Sequence, residues 1–273
     1  MTSSRFRDWY GSRLIRPELM GIVGFDIWRC WPDAMHCLDL GVYKYVAASC
    51  LVELVGEGVW HRTDDAGYKA AHLDYKLWCQ LRNLPPCPLF DKTKLVASSD
   101  QYPVFSQQQA KASMTRYIML WLREVLERPG VSAGTHGSVR LAMMVAVSEF
   151  EEILQRNDRW LVAADKALAA DHMETALVHM NLLCNEAVEK DIFRWHLTPK
   201  SHMAAHLAYD FAADGVNPRR VTCYAEGDMV GRMKRIISKC HGKTAGRTCL
   251  DRYAILVGTR WWTRLAFLRG LRQ

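Results

Sequence analysis

Three stretches of the chain carry residues whose types and spacing can do chemistry. The first is Trp31–Val42, with Asp33, His36 and Cys37 at its polar centre. Residues three apart on a helix share a face. The Asp33 carboxylate and the His36 imidazole can therefore share a proton or a metal ion, with Cys37 as an extra ligand. The same residues also suit a plainer role, with Asp33 as a helix N-cap and His36 as a buried, hydrogen-bonded ring. Spacing leaves both readings open.

The second stretch opens at Thr198-Pro199 and holds His202 and His206. Two histidines four apart project from one helix face, a spacing that suits a transition metal. A pair with no metal function is the competing reading. A zinc-protease helix needs Glu directly after the first His; Met203 stands there instead, which excludes that chemistry.

The third stretch is basic. From Arg219 to Gln273 there are thirteen basic and three acidic residues, a net +10 in a chain of +7, so the remainder is slightly acidic. Arg232, Lys234, Arg235 and Lys239 recur at helical spacing within it. Such a segment suits a phosphate backbone, or is simply a solvated helix face.

Elements must position these groups. Gly21–Trp31 reads as a buried strand feeding a turn at Pro32, then a helix over Gly41–Val55 whose apolar surface predicts burial. Further helices are predicted over Asp64–Leu84, Ser106–Arg128, Gly137–Asn157, Asp158–Ala170 and Asp171–Lys190, separated by Pro and Gly signals or capping Asp. A seventh begins at Pro199. Val221–Tyr224 reads as a short strand, followed by helices over Glu226–Lys239 and Thr248–Leu271. No heptad register, repeat or low-complexity segment stands out. Met143, Met144, Met173 and Met180 read as core filler.

Composition narrows the class. A hydrophobic share of 49% with 24% charged residues is that of a globular protein. No apolar run reaches membrane-spanning length, and Met1–Arg16 lacks the apolar centre of a signal peptide. Nine cysteines without a CxxC pair point to a reducing, intracellular compartment. A Gly-rich phosphate loop, a nucleophile elbow and a dinucleotide fingerprint are all missing, which excludes the common small-molecule enzymes.

Taken together, the motifs resemble a family. Asp-Ala-Met-His at 33–36 resembles the Asp-x-x-His signature of cut-and-paste DNA transposases of the CACTA and hAT groups. Pro-Lys-Ser-His-Met-Ala-Ala-His at 199–206 resembles their later Lys-x-His-x-x-x-His helix. Cys-Tyr-Ala-Glu-Gly-Asp-Met-Val-Gly-Arg-Met-Lys-Arg at 223–235 resembles the segment carrying their last catalytic acid. The resemblance spans about 20–265. It implies a mainly α chain with a small β component, a partial RNase H-like α/β core interrupted by a large helical insertion. Residues 1–58 would be partial core, 59–195 the insertion, and 196–273 the return to the core with the basic helices. It also implies DNA as partner, a nuclear location, a homo-oligomer as one form, and three acids holding magnesium. Zinc would be the ion at Asp33, His36, His202 and His206, in a structural site that pins the insertion to the core.

The chain departs from the family at the acids. Only Asp8 and Asp26 precede Asp33, and the family position of the third acid falls on Gly227, flanked by Glu226 and Asp228. One helical position turns a side chain by about 100 degrees, so Glu226 is the best surviving catalytic candidate but a displaced one. The expected function is a DNA-binding, transposase-derived fragment, truncated or decayed and without catalysis on its own. The alternative is a domesticated, non-catalytic helical module that binds DNA or protein.

Overall fold

A computed structural model describes residues 32–61, 63–96, 100–239, 241–244, 246–248, 250–255 and 258–259. The chain divides into two units, residues 1–220 and 221–273. Among the described residues it is mainly helical, about 70%. Their one extended pairing outside helices is an antiparallel bridge between Trp160 and Val216. The mainly α expectation is met. The strand read at Gly21–Trp31 lies outside the described residues.

The first described element of the first unit is a π-helix over Met35–Val42 that runs directly into α1, Tyr43–Gly56. The helix expected from Gly41 therefore begins earlier and in a wider winding. Gly41 permits this, because a Cβ there would lie 2.8 Å from the His36 carbonyl oxygen five residues back. Ala47, Ala48, Cys50, Leu51 and Leu54 make α1 the buried centre of the unit.

Five further helices follow: α2 (Asp65–Leu81), α3 (Ala112–Leu126), α4 (Gly134–Arg156), α5 (Ala163–Glu189) and α6 (Pro199–Asp214). Asp64 caps α2 by accepting from the Ala66 N–H at 3.0 Å. A single turn, Lys92–Leu95, interrupts the connection to α3. Tyr75, Phe90, Phe105 and Trp121 stack and edge-pack where α2 and α3 meet. Each such ring taken out of water contributes on the order of 2 kcal/mol. Met143, Met144, Met173 and Met180 are buried in the core, as their composition suggests.

The two helices expected over Asp158–Ala170 and Asp171–Lys190 are one. The buried apolar residues of α5 are Ala169, Met173, Ala176, Met180, Leu183 and Ala187, steps of four and three that run past Asp171 without a break. This is a short heptad stripe, which the reading of the sequence passed over. The real interruption lies earlier, between Arg156 and Ala163. There the Asn157 side chain accepts from the Val162 N–H at 3.2 Å, and Asn217 Nδ2 donates to the Leu154 carbonyl at 2.8 Å.

The π-helix packs against α1, α3 and α6, and α4 packs along α5. The two stretches with candidate chemistry in this unit thus sit on neighbouring elements. No described helix is long and apolar enough to cross a membrane.

The second unit holds α7, Tyr224–Ile237, and a 3-10 turn at Gly242–Thr244. Val221–Tyr224, read as a strand, instead leads irregularly into the first turn of α7. Only three residues, 221–223, separate a 3-10 turn at Pro218–Arg220 from α7, too few for a strand. The described residues of 246–259 are helical, in line with the helix expected there.

Candidate site at the Asp33 turn and the helix that meets it

Asp33 caps the first turn. Its Oδ2 accepts from the His36 backbone N–H at 2.8 Å and from His36 Nδ1 at 2.6 Å. A carboxylate only accepts, so Nδ1 carries the hydrogen and Nε2 is the nitrogen left to face outward. The His36 side chain is 54% exposed. The buried imidazole of the plainer reading is therefore corrected: the cap is there, but the ring is at the surface. A ring bonded within its own turn needs no core partner.

Cys37 faces the core beside this exposed ring. Burial pushes its thiol up; the Lys200 ammonium works against that, and the Asp33 charge adds to it. A buried thiol held in its protonated form is a poor metal ligand.

Lys200 enters from α6. Its Nζ donates to the Leu40 carbonyl at 3.5 Å, 160 residues away in sequence. Its aliphatic chain covers Gly41, where a Cβ would lie 2.7 Å from Lys200 Cδ. The Lys-x-His-x-x-x-His helix is thereby seated on the Asp-x-x-His turn by a lysine and a glycine.

His202 and His206 form a second local pair, one turn apart. Their Nε2 atoms stand 3.0 Å apart, and the rings meet edge to face. His206 Nδ1 lies 3.0 Å from Asp210 Oδ2. His202, His206 and Asp210 thus interact along one face of α6.

Buried charge lies close to the turn in places that sequence reasoning missed. Asp39, 1% exposed and inside the apolar run of the π-helix, binds Arg116 through Nε at 3.2 Å and Nη2 at 2.5 Å. Arg116 also reaches Glu151 at 3.4 Å. Glu151 accepts from the Tyr43 hydroxyl at 2.9 Å and from Arg219 at 3.4 Å. Burial first, and then the Glu151 and Asp39 charges, drive the Tyr43 hydroxyl well above its ordinary range.

A second network ties α1 to α4 and α5. Arg140, buried in α4, grips Glu57 twice at 2.8 Å and Glu53 at 3.0 Å. His136 lies between Glu53 at 2.9 Å and Glu186 at 2.7 Å. Trp195 donates to Glu53 from its indole and to Ser49 from its backbone N–H. The one available signal was an acid or arginine set inside an apolar run. Such residues are almost never buried unless paired.

The other candidates belong to the second unit. Lys234, Arg235 and Lys239 are exposed. The backbone at Glu226 and Arg232 is helical, while their side chains lie outside the described part.

Comparison of the chain with protein-family models, with curated proteins and with solved structures finds no match.

Proposed function

We propose that the chain is a transposase-derived DNA-binding fragment, a framework that grips duplex DNA and does not cut it alone. The observation that carries this reading is the seating of Lys200 on Gly41 and Leu40. The two motifs that resemble the transposase signatures are far apart in sequence, and they pack together. The residues between them are helical, as an insertion into an RNase H-like core would be. In this reading the Asp33–His36 turn and the histidine helix are structural and hold the insertion in place.

DNA contact falls to the basic segment. Lys234, Arg235 and Lys239 offer exposed positive charge on α7 and just past it, with Arg232 on the same helix. Binding would be electrostatic and independent of base sequence.

The acids support the non-catalytic half of the reading. Two-magnesium cleavage needs carboxylates free to converge on a pair of ions about 4 Å apart. The two buried acids beside the turn, Asp39 and Glu151, share the guanidinium of Arg116. They do not fit a magnesium pair. Glu226 alone cannot hold two ions, so no cleavage step is assigned to this chain. A nicking assay on supercoiled DNA with magnesium tests this. The expected result is no cleavage; cleavage abolished by Glu226→Gln would contradict it.

A further inference from the structure

We propose that the outer face of α2 is a docking surface for a second copy of the chain, whose α5 supplies the matching acidic and apolar face. This inference is independent of the DNA-binding reading.

The argument starts from spacing on α2. Leu73, Leu77 and Leu81 lie four apart, and each is at least half exposed. Single exposed leucines mean little, but a continuous run of them marks an interaction surface. Steps of four build a ridge of the kind that packs into the groove of a crossing helix. Lys69 stands four residues before Leu73 and Lys76 three after it, so both edge the ridge. Neither lysine has an ion-pair partner among the described residues. Of the two acids in α2, Asp65 lies in the first turn, and Asp74 is held by Arg128 at 2.7 and 3.0 Å. The ridge is therefore apolar with a basic edge.

The outer side of α5 offers the opposite charge. Val178 and Leu182 lie four apart, at least half exposed, on the side away from the buried stripe. Asp171 and Glu174 precede Val178 by seven and four residues, so they share its side, and both are exposed. Glu174 also hydrogen-bonds the Tyr209 hydroxyl. From Ala167 to Glu189 the helix holds no Lys or Arg. This face is apolar with an acidic edge.

Charge decides which faces meet. Setting α2 against α2 of another copy places lysine near lysine, and α5 against α5 places carboxylate near carboxylate. Like charges across an interface repel, whereas opposite ones fix its register. The favoured contact is α2 on α5, with Lys69 and Lys76 meeting Asp171 and Glu174 while the leucine ridge covers Val178 and Leu182.

Sedimentation equilibrium of the full chain at low salt tests the interface. The average mass of the wild type is expected to rise above 31.3 kDa with concentration. The double variant Lys69→Glu, Lys76→Glu should stay at the mass of one chain, and so should Asp171→Lys, Glu174→Lys, with circular dichroism confirming unchanged helix content. Mixed in equal amounts, the two double variants should associate again, because each face then meets its opposite charge. Leu77→Gln, with every charge intact, should weaken the wild-type association. A wild type that stays at the mass of one chain would overturn the proposal. So would double variants that associate as the wild type does, a mixture that fails to associate, or unchanged association in Leu77→Gln.

Discussion

Lys200 lies so close to Gly41 that a Cβ on the glycine would sit 2.7 Å from Lys200 Cδ and 2.8 Å from the His36 carbonyl oxygen. One obstacle is the stem of a flexible side chain and the other is backbone. Gly41→Ala should therefore destabilise the first unit by about 1–3 kcal/mol, the usual range for an overpacked site. Adding Lys200→Ala should recover only part of this, because the His36 carbonyl remains in place. Urea denaturation of the single and double variants checks both expectations.

The buried pairs and the exposed pairs should behave differently. Arg140→Ala leaves Glu53 and Glu57 without their shared guanidinium. Arg140 is 1% and Glu53 14% exposed while Glu57 is 42% exposed, so the loss should be about 2 kcal/mol, below that of a fully buried pair. Arg82→Ala removes an exposed partner of Glu124 and should cost less than about 1 kcal/mol. Equal melting-temperature shifts for the two variants would show that burial of Arg140 and Glu53 adds nothing to the α1–α4 network.

His136 should make stability fall on the alkaline side. The hydrogen bond to Glu53, and then that to Glu186, raise it from 6.5 to about 9 against the effect of burial. Both ring nitrogens face carboxylates, so the ring is doubly protonated in the folded state. A group raised on folding stabilises fully below its unfolded value and loses that stability as pH rises through the folded one. The loss should span pH 6.5 to about 9. Glu186 is held low, first by His136 and then by Lys190, so its share is lost instead as pH falls. Chemical denaturation across this alkaline range, with His136→Gln as comparison, should show a decline in the wild type that is absent in the variant.

Much of the fold was legible because helices here are bounded by strong local signals. Pro85-Pro86 and Pro129-Gly130 end helices wherever they occur, and the apolar faces of α2 and α3 follow the helical period. The join inside α5 was misread because Asp171 is a good cap by type, while the buried stripe that runs past it is a tertiary matter. The Asp33 cap was legible from three residues. The Asp39–Arg116–Glu151 cluster was not, because its members lie on three different elements that only packing brings together. Pairing of charges across elements has no local sequence mark.

A salt titration of duplex binding shows whether the basic segment grips DNA through its charge. If about four side chains, Arg232, Lys234, Arg235 and Lys239, each neutralise a phosphate, log K should fall against log salt with a slope of about −3.6. The triple variant Lys234→Ala, Arg235→Ala, Lys239→Ala should reduce that slope by about 2.7 and weaken binding equally on unrelated duplexes. No binding at about 50 mM salt, where such contacts are strong, or an unchanged slope in the triple variant, would rule out DNA binding through these side chains.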